Sequence, residues 1–121
     1  MGLLLPVWHW SRSKMLKLHN SYSNNVEEFR PDSSSVKVYL CGPTVQSSPH
    51  IGHGRSAVVF DFLIRYLKFS NYQVTFVRNI TDIEDKIIQR SEEEGITTEE
   101  LADRVTKEFQ KSYADLNCLL Q

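Results

Sequence analysis

Between Val36 and Cys41 the chain alternates, with Val36, Val38 and Leu40 on one side and Lys37, Tyr39 and Cys41 on the other. This period of two, with β-branched and aromatic content, predicts a strand. Pro31, Asp32 and the Ser33–Ser35 run ahead of it predict a loop, and Gly42-Pro43 ends it. A polar stretch follows to Pro49. The period then changes: from His50–His53 to about Ser70 apolar residues recur at helical spacing, with Phe60, Leu63, Ile64 and Leu67 on one face and Asp61, Arg65 and Lys68 on the other. Asp61 and Arg65 stand at i,i+4 and can pair. Gln73 to Asn79 reads as a second strand.

Strand, helix and strand within roughly 40 residues form a βαβ unit, whose strands run parallel and whose ligands lie beyond their carboxyl ends. Cys41, Asn79 and the amino end of the helix all fall at that rim. Further on, Thr81 followed by Glu84 and Thr97 followed by Glu100 each match a capping box, in which the hydroxyl caps the N3 amide and the carboxylate reaches back. The first would open a helix running to about Glu94 and ending at Gly95. The second would open another, with Leu101, Val105, Phe109 and Leu116 along its buried stripe. The fold class expected is α/β: an incomplete Rossmann-like parallel sheet, a βαβ unit followed by helices. Two strands leave an open edge and a thin core, so residues 16–121 are expected to be the amino-terminal part of a larger catalytic domain.

Composition narrows the class. With 121 residues, 40% hydrophobic and 24% charged, the chain has the make-up of one ordinary domain or part of one. Its 14 basic and 15 acidic residues give a net charge of -1, so no global basic field marks a nucleic-acid binder. The two cysteines, Cys41 and Cys118, fit a reducing compartment better than a disulfide framework. Leu3–Leu5 is cut short by Pro6, far below the ~20 apolar residues a membrane span needs. Residues 1–15 are expected to be an irregular leader or extension. Met1 to Val26 carries no acidic residue but holds Arg12, Lys14 and Lys17, as a mitochondrial transit peptide would. The expected location is the cytoplasm, or the mitochondrion if that leader is a transit peptide.

The chemistry concentrates in Cys41–His53, CGPTVQSSPHIGH. His50 and His53, three residues apart at a helix start, share a face and join the free backbone amides and the positive end of the helix dipole. Phosphate suits that arrangement. Gly52 between them would let a flat base lie close to the backbone. An isolated H-x-x-H pair is commonly surface decoration, and an isolated cysteine is commonly a packed thiol. Their place in a loop-to-helix turn after a strand is what favours a site. Cys118 is read as structural, and His9 and His19 receive no role.

The segment CGPTVQSSPHIGHGRS, with VRNITDIEDKI from Val77 to Ile87 and MLKLHNS from Met15, closely resembles the amino-terminal catalytic region of the cysteinyl-tRNA synthetases, a class I aminoacyl-tRNA synthetase family. The resemblance spans about Met15 to Leu119. It implies activation of L-cysteine to cysteinyl-adenylate with ATP and magnesium, then transfer to the tRNA for cysteine. It implies that Cys41 is one ligand of a zinc ion whose other ligands come from later segments. It further implies that His50 and His53 bind ATP and stabilise the adenylation transition state, with Thr44 and Gly52 at the nucleotide and Gly42, Thr44 and Thr81 around the amino acid. Zinc completed by the substrate thiolate would separate cysteine from serine, which a pocket of hydrogen bonds and shape rejects poorly. The family's lysine loop and anticodon-binding region have no counterpart here, so these residues alone are expected to be inactive.

Two other readings stand beside this one. A related ligase that joins cysteine to an amino-sugar inositol acceptor shares the thiol-then-HIGH layout, although Gly42-Pro43-Thr44-Val45 favours the synthetase. The second is a truncated, non-catalytic nucleotide-binding paralogue. Gln46 stands where the family usually has tyrosine, which leaves the lining of the amino-acid pocket open, and Glu84 stands for the commoner aspartate. No membrane partner is expected, and the sequence gives no oligomeric state.

Overall fold

The computed structural model describes residues 15–118. The leader expected over residues 1–15 lies almost wholly outside them, as does His9. The chain divides between Asp32 and Ser33 into two compact units.

The described part of the first unit is an antiparallel hairpin, β1 (Lys17–Asn20) paired with β2 (Asn25–Glu28). Asn24 takes the left-handed conformation at φ 56 to close the turn, a region asparagine tolerates better than most residues. Asn20 donates to the Glu27 carboxylate at 3.1 Å, and every residue of both strands, His19 included, is exposed. The sequence reading did not foresee this hairpin. Its strands have no buried face, so they carry no apolar alternation.

The second unit contains the expected βαβ. β3 (Ser35–Leu40) and β4 (Gln73–Arg78) run parallel, in register from Ser35–Gln73 to Leu40–Arg78. α1 (Ile51–Phe69) connects them and packs on β4, burying Ala57, Ile64 and Leu67. Phe60 and Leu63 are only half-buried, while Phe62 is 72% and Phe69 84% exposed. Asp61 and Arg65 pair at 2.6 Å, and Arg65 also donates to the Asn117 carbonyl at 2.9 Å, tying α1 to the end of the last helix.

α2 (Asp85–Glu94) ends at Gly95, which adopts φ 68, the left-handed terminator expected there. α3 (Thr98–Asp115) opens with the expected capping box: the Glu100 amide donates to the Thr97 hydroxyl at 3.1 Å and the Thr97 amide to the Glu100 carboxylate at 2.9 Å. Its inner stripe, Leu101, Val105 and Phe109, joins Ile87 of α2 and Val45 of the CGPTV segment in a fully buried core. Leu116 departs from that stripe. It caps the helix rather than continuing it, and is 47% exposed. Cys118 is buried just past α3, where burial pushes its thiol pKa up, in keeping with a structural role.

The other expected capping box does not form. Glu84, in extended conformation and without a side-chain cap, precedes α2. Thr81 is committed elsewhere: its amide donates to the Pro43 carbonyl at 3.0 Å and its carbonyl accepts from the Val45 amide at 3.1 Å. This parallel bridge of Thr44 with Thr81 continues the pairing of β3 and β4 past their ends. A residue paired so cannot also start a helix.

Candidate nucleotide and amino-acid site

The site lies where those strand ends meet the start of α1. After Leu40 the chain turns through Gly42, whose amide donates to the Asn79 side-chain oxygen at 2.8 Å. A Cβ on Gly42 would sit 1.7 Å from the Asn79 carbonyl oxygen, so only glycine permits this approach of the two strands. Asn79 in turn reaches the Thr81 hydroxyl at 3.4 Å. The CGPTV and NITD segments are thereby zipped side by side, with Val45 as the buried anchor.

His50 is the N-cap of α1. Its Nδ1 accepts from the Gly52 amide at 3.1 Å, and its own amide donates to Nδ1 of His53 at 3.1 Å. Backbone amides only donate, so both Nδ1 atoms are acceptors. Each neutral ring therefore carries its hydrogen on Nε2. The ring centroids lie 3.9 Å apart, and the edge of His53 meets Phe109 of α3 at 4.9 Å. Burial above all, and the neighbouring His50 next, hold the His53 pKa below the usual histidine value. His53 is thus neutral at pH 7 and offers Nε2–H as a donor.

Gly52 serves the same cap. A Cβ there would meet the His50 ring at 2.8 Å and displace the imidazole that accepts from Gly52's own amide. This is a reason for glycine that the sequence reading did not give.

Cys41 and His53 line one cleft of about 180 Å3, together with Gly42, Ser56, Arg78 and Tyr113. The Cys41 residue is exposed. Cys41, Gly42 and His53 are thus brought around one opening, while His50 packs against the His53 ring without lining that cleft. Thr44 and Thr81 form the adjoining bridge. Gln46 lies apart, lining a different cleft of about 300 Å3 with Lys86 and Arg90 of α2. Among the described residues no group of three or more histidine, cysteine or acidic side chains could hold a metal ion.

Sequence reasoning placed Asn79 at the rim but did not find its bond to Gly42, and it passed over Arg78 and Tyr113. The signal for Arg78 was present. It stands in phase with the inward Val74 and Phe76 of β4, where an apolar residue is expected. Its guanidinium carbon lies 4.6 Å from the Tyr113 ring centroid and 5.5 Å from that of Phe76.

No helix among the described residues is long and apolar enough to cross a membrane. Residues 28–121 match the family model described as the tRNA synthetases class I (C) catalytic domain. The chain is 52% identical over 106 residues to the cysteine–tRNA ligase of Rickettsia massiliae (strain Mtu5), an alignment covering 85% of this chain and 23% of that protein. It is 48% identical over 106 residues to the cysteine–tRNA ligase of Erwinia tasmaniensis, with 87% and 23% covered. Against that of Maridesulfovibrio salexigens the figures are 50% over 105 residues, 86% and 22%. The chain therefore spans under a quarter of the length of these relatives. Its mixed α/β architecture, with a parallel strand pair joined through a helix, is that of a Rossmann-like catalytic domain, and the chain belongs to the class I cysteinyl-tRNA synthetase family.

Proposed function

We propose that the protein carrying this chain activates L-cysteine with ATP and magnesium to form cysteinyl-adenylate, and then transfers the cysteinyl group to the tRNA for cysteine. The observation that carries this reading is the paired imidazole cap, with both Nδ1 atoms bound to backbone amides beside a cleft that also holds Cys41.

In the first step a carboxylate oxygen of cysteine attacks the α-phosphorus, and the bond from that phosphorus to the bridging oxygen of the β-phosphate breaks. Pyrophosphate leaves with the electron pair. Negative charge rises on the equatorial oxygens and on the leaving group as this happens. His50 and His53 meet it with Nε2–H donors whose orientation is fixed before the reaction by the Gly52 and His50 amides, so little reorganisation is needed. Gly52 leaves room for the His50 ring and gives its amide to Nδ1, which fixes the donor toward the nucleotide. Gly42, Thr44 and Thr81 form the paired edge along which the amino acid lies. Cys41 would be one ligand of a zinc ion, which when bound would supply a soft Lewis acid that distinguishes sulfur from hydroxyl. The other ligands would have to come from outside the described residues.

The test is cysteine-dependent exchange of pyrophosphate into ATP by the full-length protein, followed by a choice of acceptors. Exchange with cysteine, not serine, and acylation of the tRNA for cysteine is the expected result. Acylation of an amino-sugar inositol instead would assign the related ligase, and no exchange with any amino acid would assign the non-catalytic paralogue.

A further inference from the structure

We infer that Arg78 is an anion-binding residue of the cleft, its guanidinium receiving an oxyanion of the small-molecule substrates: the carboxylate of the amino acid or the α-phosphate of the nucleotide. This rests on the adenylation reading above and adds to it a residue that sequence patterning overlooks.

The placement of Arg78 is costly unless it has a ligand. A strand phase that carries Val74 and Phe76 also carries this cation inward, to a half-buried position. Its Nε is buried and has no hydrogen-bond partner among the described residues. None of the ion pairs among those residues includes it. A buried guanidinium N–H left unpaired retains its desolvation penalty, which a complementary anion removes.

What holds Arg78 in place does not neutralise it. Tyr113 and Phe76 approach the guanidinium as rings, and aromatic faces stabilise a cation without removing its charge. Burial raises the Tyr113 pKa against the opposing pull of Arg78, so the ring beside the guanidinium is a neutral phenol at pH 7. The stem of Arg78 lies beneath Gly42, 3.0 Å from where a Cβ would stand. Among the described residues Arg78 is thus a cation without an ion-pair partner, in the cleft that Cys41 and His53 also line. An arginine fork suits a carboxylate or phosphate edge better than any other side chain.

The experiment measures KM for cysteine and for ATP in pyrophosphate exchange by the full-length protein, with thermal unfolding as the check on folding. Arg78→Met keeps the stem and removes the charge. It is expected to raise KM about tenfold to a hundredfold, the usual weight of a hydrogen-bonded charge. A rise confined to cysteine identifies the carboxylate as the ligand, and a rise confined to ATP identifies the phosphate. Lys107→Met, which removes an exposed cation of α3 outside the cleft, should leave both values near wild type. Should Arg78→Met fail to fold, Arg78→Lys decides, because it keeps the charge without the fork and should raise the same KM several-fold. Wild-type KM values for both substrates in a folded variant, beside an active wild type, would overturn the inference alone. A wild type with no cysteine-dependent exchange would overturn it together with the adenylation reading.

Discussion

At the start of α1 two backbone amides decide what two imidazoles can do. Because the Gly52 and His50 amides occupy both Nδ1 atoms, the rings need no tautomeric choice when substrate arrives. The lowered pKa of His53, caused first by burial, has a sign that can be checked. As pH falls below the ordinary histidine value of 6.5, the unfolded chain takes up a proton that folded His53 refuses, so stability declines. It should be level above that value, fall below it, and level again once folded His53 titrates. Urea midpoints of the full-length protein against pH should show this, and His53→Gln should remove the His53 part of the slope; an equally steep slope in the variant would assign the effect to other groups. Cys41 makes a separate prediction. Cys41→Ser should lower the zinc bound per protein and erode the preference for cysteine over serine, measured by metal analysis and by exchange with each amino acid. Unchanged zinc content would remove Cys41 from the ligand set.

Among elements, the two helix starts show why a local pattern can be right once and wrong once. Thr97 and Thr81 are each followed three residues on by glutamate, but only Thr97 has backbone groups free to serve a cap. The Thr81 backbone is spent on Pro43 and Val45, partners remote in sequence and invisible to a window of four residues. Thr97→Ala should therefore cost about 1 kcal/mol in urea unfolding of the full-length protein. Thr81→Ala should leave amide exchange in the first turn of α2 unchanged; faster exchange there would restore Thr81 as a cap. The hairpin of β1 and β2 escaped for the opposite reason. Its pairing is held by turn geometry and polar side chains, and a strand without a buried face leaves no alternation to read.

Across the whole chain, the legible part of the site was the part written in short motifs. The roles expected of Cys41 and Gly42 came from the family resemblance, whereas His50, Gly52 and His53 could be singled out because their spacing at a helix start carries their chemistry. Arg78 and Tyr113 could not, because cation and ring meet only after β4 and α3 have packed. Val45, read as part of a motif, proves to be the buried anchor joining that motif to α2 and α3. The same packing leaves a two-stranded sheet and exposes Phe62, Phe69 and Tyr39. A chain with so small a core has little stability to draw on. Expressed alone, these 121 residues should bind an apolar dye and lack the ~5 kcal/mol of cooperative unfolding typical of a complete domain. A sharp two-state urea transition of that size would contradict this.

The central claim is that the fixed imidazole pair stabilises charge during adenylation. It is tested most directly by the rate of cysteine-dependent ATP–pyrophosphate exchange in full-length His53→Ala beside wild type. Loss of one preoriented donor predicts a fall of about a hundredfold or more with the fold intact. Exchange near the wild-type rate would contradict the account.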